Sequence, residues 1–468
     1  MRKEESLSVA NPEYNGLDTI QKIGVGISLL GLMIFILASF DTLNQSNTLA
    51  LAGALLAVLV GVVIYSLRTY LTKSAGIKND GVFHNAVSSR GFLAWIIGIV
   101  LTGYYILLYL YPEYLGLATN GERNTGLIGF FDPFSEFFKG QPASQWFVYG
   151  TFYTLAMLAL GVKFMFKYRH NKYQLIRTSV VVSAQLFFAY LIPEILEGLY
   201  SGQAYFAKDI KNIWPLNHYF FEEWHLTNMV EGGNLGMFYL VLGIFMFLIF
   251  TPIITYYIGK RWYCSWICGC GGLAETAGDP FRQLSSKSLQ SWRIERWMVH
   301  SVLVLVTIMT SASLYGYFSG NSELLGLSIY TYFTKPYGLF IGAIFSGVVG
   351  VGFYPLLGSR VWCRFGCPMA AYIGIVQRFK SRFRITTNGG QCISCGNCST
   401  YCEMGIDVRA YAQKGQNIVR ASCVGCGICA AVCPRGVLKL ENGPEKGRIK
   451  SESALLGNED IDLFNHVN

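Results

Sequence analysis

Residues 392–434 read CISCGNCSTYCEMGIDVRAYAQKGQNIVRASCVGCGICAAVCP, and one cysteine pattern occurs in them twice. Cys392, Cys395, Cys398 and Cys402 form the first copy; Cys423, Cys426, Cys429 and Cys433 form the second, followed by Pro434. Thiolates three residues apart on a turning backbone, with Gly396, Gly425 and Gly427 between them, can wrap three irons of a cubane. The fourth thiolate then has to come from elsewhere. Cys-x2-Cys pairs also suit zinc knuckles and disulfide frameworks. Zinc takes four ligands and leaves the triple spacing unexplained, so the doubled pattern points to iron and sulfide.

Over residues 385–441 the chain resembles the bacterial-type two-cluster ferredoxins. That resemblance implies a small α+β domain with two [4Fe-4S] clusters that exchange their fourth ligands. One cluster would take Cys392, Cys395, Cys398 and Cys433, the other Cys423, Cys426, Cys429 and Cys402. Two features depart from the family. Glu403 stands where a proline usually follows the fourth cysteine, and about 20 residues separate the copies.

The rest of the chain is oily. Of 468 residues, 52% are hydrophobic and 14% charged, and the apolar residues are gathered into runs. Runs of about 18 or more apolar residues can cross a bilayer as helices. Eight such runs are expected near residues 23–40, 48–69, 91–111, 146–168, 176–195, 237–259, 298–318 and 337–358. The fold class is therefore mostly α: a polytopic helical membrane bundle of about eight spans with the small ferredoxin domain at its C-terminal end. The expected division is a tail at 1–22, a transmembrane domain at 23–360, a juxtamembrane motif and basic linker at 361–384, the ferredoxin at 385–441 and a polar tail at 442–468.

Basic residues in short loops decide sidedness. Arg68, Lys73, Lys78 and Arg90 fill the second loop, Lys167, Arg169, Lys172 and Arg177 the fourth, and Lys260, Arg261, Arg282, Lys287, Arg293 and Arg296 the sixth. The alternate loops are poor in them, which puts both termini and the ferredoxin in the cytoplasm of a cell whose inner membrane holds the spans. The same loops account for the net charge of +9, and no basic face interleaved with stacking aromatics suggests nucleic acid. All 13 cysteines then lie on the reducing side, against disulfides. Glu194 and Glu197, with His218 and His225, are the polar groups open to a quinol cleft, although no spacing singles them out and a solvated helix end explains the two carboxylates equally well.

A second repeat follows two spans. Arg261-Trp262-Tyr263-Cys264-Ser265-Trp266-Ile267-Cys268 aligns with Arg360-Val361-Trp362-Cys363-Arg364-Phe365-Gly366-Cys367, the latter continued by Pro368. Cys264, Cys268, Cys363 and Cys367 could converge on one point and hold a third cluster or another metal. In the first pair Gly269 replaces proline and Cys270 adds a thiol, leaving open whether Cys268 or Cys270 is the ligand. A buried free thiol is the plainer account of each cysteine taken singly.

Cys-x3-Cys pairs followed by a two-cluster ferredoxin resemble the NapH/NosR family of membrane polyferredoxins, over residues 237–441. The resemblance implies an electron-transfer component of an oxidoreductase system, in membrane lipid, working between the quinol pool and redox protein partners. A copper reductase or oxidase-assembly factor of the CcoG type, or a membrane redox sensor, is the alternative. Arg378, Lys380, Arg382 and Arg384 in the linker are expected to meet anionic lipid or an acidic carrier.

Overall fold

The computed structural model describes residues 17–42, 48–71, 91–118, 122–199, 219–321 and 323–443. His218 and the loop bases Lys73, Lys78 and Arg90 lie outside the described residues, as do most of both expected tails. Among the described residues, eight helices are long and apolar enough to cross a bilayer: Thr19–Ser39, Thr48–Leu71, Phe92–Leu110, Gln145–Lys167, Lys172–Leu199, Gly233–Ile258, Leu289–Ser319 and Tyr330–Gly352. A multi-pass membrane bundle with a small C-terminal module is the architecture.

Helix ends follow local chemistry. Asp18 opens the first span with a capping box to Gln21, satisfying two donors that the first turn leaves free. The seventh span begins at Leu289 rather than near 298, because Ser288 caps it and the added turns carry Glu295, which pairs with Arg364. The eighth span ends at Gly352, short of the expected 358. Pro355 cannot extend the helix, and residues Tyr354–Leu357 form a separate turn.

Spans one and two approach backbone to backbone: a Cβ on Gly61 would sit 2.4 Å from the Gly24 carbonyl oxygen. Small residues let membrane helices approach this closely. Span four is the central helix, with half of its apolar window buried against 11–28% for the others. The stretch between spans three and four folds inward. Phe130 and Phe131 are buried, and Phe131 stacks on Phe35 of span one at 5.8 Å.

The C-terminal module is closed by antiparallel strands Phe383–Thr387 and Leu438–Asn442, registered Ile385 to Leu440. It sits on one end of the bundle through donors that reach its backbone carbonyls. Gln377 Nε2 bonds the carbonyls of Arg420 and Cys423 at 2.8 Å each, Ser265 Oγ bonds Val424 at 2.8 Å, and Tyr173 and Gln174 bond Gly425 and Cys426 at 2.9 and 2.8 Å. Part of the linker packs into the module. Arg384 is buried in the strand and Arg378 bonds the Val419 carbonyl at 3.1 Å, while Arg378 and Lys380 keep exposed side chains.

Candidate metal centres

Two cavities open inside the module, and four cysteines line each. Cys392, Cys395, Cys398 and Cys433 surround the first with Ile393, Ala412, Val437 and Leu438. Cys402, Cys423, Cys426 and Cys429 surround the second with Ile385, Met404, Ile406 and Ile418. Each cavity thus draws one cysteine from the other sequence repeat, the grouping that ligand exchange requires. Gly425 and Gly427 have φ of 64° and 76°, a conformation that costs other residues energy. These turns aim N–H groups inward: Gly425 at the Cys423 thiol, Ile428 at Cys426, and Ile406 and Met404 at Cys402. Four thiols, apolar walls and inward N–H donors fit an anionic iron–sulfur cubane.

Burial pushes these thiols up, Cys423 to about 11 and Cys398 and Cys426 each to about 12. Repulsion from Cys433, Cys395 and Cys392 adds to the rise at Cys398. At Cys429, burial dominates and Cys426, Cys402 and Cys423 add to it.

The structure also brings Cys264, Cys268, Cys363 and Cys367 together. Burial raises Cys367 most, and Cys363, Cys264 and Cys268 repel its charge further. The two Cys-x3-Cys loops have one shape. The second cysteine donates its N–H to the residue before the first: Cys268 to Tyr263 at 2.8 Å, and Cys367 to Trp362 at 3.0 Å. Each second cysteine then caps a helix, Gly269–Thr276 or Pro368–Lys380. Cys270 bonds Cys268 and, with nearby backbone N–H groups, draws its thiol down to about 6. A helix N-terminus favours a thiolate there.

Cys264 and Cys363 share one buried cluster with Cys423, Cys429 and Cys398. The other side of the tetrad reaches into the bundle rather than resting on its surface. A Cβ on Gly269, between Cys268 and Cys270, would lie 2.8 Å from Gln185 Oε1 and 3.5 Å from the Tyr153 hydroxyl, and Gln185 is halfway along span five.

Between the tetrad and the second cavity runs a chain of buried ion pairs that sequence reasoning missed. Lys167 meets Asp279 at 2.7 Å, Asp279 meets Arg282 at 2.8 Å, and Arg282 meets Glu403 at 2.7 Å. Glu403 also holds Arg360 at 2.9 Å, Arg360 holds Glu275 at 2.6 Å, and Glu275 pairs with Arg177. Arg360 extends Nη1 to Cys363 Sγ at 3.7 Å and to the Cys264 carbonyl at 3.2 Å. Burial opposes the charge on Asp279, but Lys167 and Arg282 outweigh it and hold the carboxyl at about 2. Glu275, Glu403 and Cys426 offer atoms within 4.8 Å of one another, yet arginines already neutralise both carboxylates. The signal was present: Glu403 was the departure from the ferredoxin pattern, and Arg360 stands three residues before Cys363.

Of the expected quinol groups, the three described, Glu194, Glu197 and His225, find partners elsewhere. Lys139 pairs with Glu194 at 3.3 Å and Glu197 at 3.7 Å, and His225 bonds the Phe220 carbonyl at 3.0 Å.

Comparison with known families agrees with this geometry. A 4Fe-4S dicluster domain matches residues 391–438, and a 4Fe-4S binding domain matches residues 239–288 and again 338–386, one copy for each Cys-x3-Cys loop. The chain is an iron–sulfur protein with a multi-pass membrane bundle. It is similar to the curated Escherichia coli (strain K12) protein named "Putative electron transport protein YccM", 28% identical over 172 residues. That match covers 35% of this chain and spans about half, 47%, of the relative. No solved structure matches.

Proposed function

We propose that this chain is a NapH/NosR-type electron-transfer protein that passes electrons between the quinol pool of a bacterial inner membrane and a soluble redox partner. Three [4Fe-4S] clusters would be held by Cys264/Cys268/Cys363/Cys367, by Cys402/Cys423/Cys426/Cys429 and by Cys392/Cys395/Cys398/Cys433. Such clusters change charge by one electron and leave spacing, burial and potential to the protein.

The observation that carries the reading is continuity. One buried cluster of side chains joins Cys264 and Cys363 to Cys423, Cys429 and Cys398, from the bundle to the module. The relative's printed name and the 4Fe-4S domain matches support the same activity. At the bundle end, Gln185 and Tyr153 are hydrogen-bonding groups beside Gly269, and Cys270 is exposed there; a quinol headgroup needs such groups beside an apolar cleft. The ion-pair chain sets the electrostatics. Lys167, Arg177, Arg282 and Arg360 face Glu275, Asp279 and Glu403, an excess of one positive charge next to thiolates that become anionic on loading. Net charge and hydrogen bonds to sulfur tune a cluster's potential. The basic loops at the module end of the bundle support a cytoplasmic location for the module.

Anaerobic iron and sulfide quantitation with EPR tests this on detergent-purified protein. About twelve irons in the natural chain and about eight in Cys264→Ser/Cys363→Ser are expected. About eight in both would leave the tetrad without a cluster and sink the three-centre wire.

A further inference from the structure

The two module cavities differ in what surrounds them, and the charged residues that line the first are both arginines, Arg409 and Arg435. Cys395 is exposed, and Ile393 is 55% exposed at the tip of the Cys392–Cys395 loop, where Ser394 takes a left-handed φ of 58°. Gln413 Nε2 bonds Ser394 Oγ at 2.6 Å and brings exposed Lys414 to the same edge. Exposed Arg409 and Arg435 line the cavity mouth, and exposed Lys439 follows in the adjoining strand. The module, residues 385–441, contains three acidic side chains, Glu403, Asp407 and Glu441, and Glu441 lies beyond Lys439 in the strand, outside the residues that line the cavity. Glu403 is buried between Arg282 and Arg360, and Asp407 accepts the Ser399 hydroxyl at 2.6 Å. Among the described residues, no hydrogen bond or ion pair to the spans comes from 391–396 or 433–439, so this face is left free by the docking that covers the second cavity.

We infer that this rim is the docking face for a soluble, acidic one-electron carrier protein, with the Cys392/Cys395/Cys398/Cys433 centre as the port through which single electrons are exchanged. The inference rests on the electron-transfer reading above and adds the partner's chemistry to it. A small exposed apolar tip inside a ring of cations suits a brief encounter: opposite charge speeds and orients the approach, and the small contact lets the carrier leave. Docking at this face leaves Cys402, Cys423, Cys426 and Cys429 as the inner relay, enclosed between the port and the bundle.

The test uses the full-length protein in nanodiscs and flavodoxin as the acidic probe, comparing the natural chain with Arg409→Glu/Arg435→Glu. Affinity is read by surface plasmon resonance, and electron exchange by stopped flow from flavodoxin hydroquinone. The double variant is expected to bind roughly tenfold or more weakly, and added salt should weaken the natural chain toward it. Flavodoxin binding that ignores both the charge reversal and salt would overturn the port. So would a variant that keeps flavodoxin but loses binding to anionic phosphatidylserine vesicles, because the rim would then be a lipid contact. Chemical reduction by dithionite-reduced methyl viologen followed by EPR separates this from the underlying reading: cluster signals without flavodoxin binding condemn the port alone, and no cluster signals condemn the wire.

Discussion

The two cysteine cavities of the module are near copies in sequence and opposites in setting. The cavity of Cys392, Cys395, Cys398 and Cys433 opens to solvent beside Arg409 and Arg435, with no hydrogen bond from the bundle among the described residues. The cavity of Cys402, Cys423, Cys426 and Cys429 is pressed onto the bundle, its loop carbonyls held by Tyr173, Gln174, Ser265 and Gln377. A repeated motif dictates the chemistry of a centre. Its neighbours dictate how far that centre is exposed, which is the difference the proposed roles of port and inner relay rest on.

The largest expected effect breaks the comparison at its root. Cys402→Ser should remove the EPR signal of the enclosed centre, although Cys402 is adjacent in sequence to the exposed one; loss of the exposed centre's signal instead would refute the exchange. Next comes Glu403→Gln. Losing one carboxylate leaves Arg282 and Arg360 short of a buried partner, at about 3–5 kcal/mol. Limited proteolysis should then cut the module sooner, and the enclosed centre's midpoint potential should shift while the exposed one's stays. Equal shifts in both would show that the ion pairs do not distinguish the cavities.

Gln377→Leu is expected to be milder, about 1–3 kcal/mol, because it strips the Arg420 and Cys423 carbonyls and the Lys260 N–H of their buried partner. Thermal unfolding of the loaded protein reads this directly. The smallest effect is on loading. Burial raises Cys402, Cys423, Cys426 and Cys429, so metal-free protein carries these as protonated thiols at neutral pH and must release protons on taking up a cluster. Raising the pH from about 7 to about 9 should lower the iron and sulfide needed to half-load the enclosed centre. A loading curve for that centre independent of pH would contradict the protonated state.

Much of this was legible in order and spacing. The eight spans follow from apolar run lengths, since a bilayer sets a minimum helix length whatever the helix packs against. Span ends were less legible, because Ser288 and Pro355 act through local capping and breaking that a hydropathy run ignores. The 4Fe-4S motifs were readable because cubane ligation imposes a short fixed spacing, and the Cys-x3-Cys loops because their motif is repeated. Glu403 was visible only as a misfit. Its partners Arg282 and Arg360 lie 121 and 43 residues away in the chain, and nothing local announces such a pairing.

The amino-acid order by itself determined the kind of centre, the number of cysteine sets and the helices that cross the membrane, since ligand spacing and apolar length act over a few residues or a single helix. Tertiary structure alone decided which cavity faces solvent, which arginine of two equivalent motif positions is buried, and that a glutamate replacing a proline ties the module to the bundle. Arg261 and Arg360 occupy the same place in their repeats, yet Arg261 lies over the Phe383 ring at 4.8 Å while Arg360 joins Glu275 to Glu403. The cause is burial: a charge removed from water must find its partner wherever the fold brings one within reach.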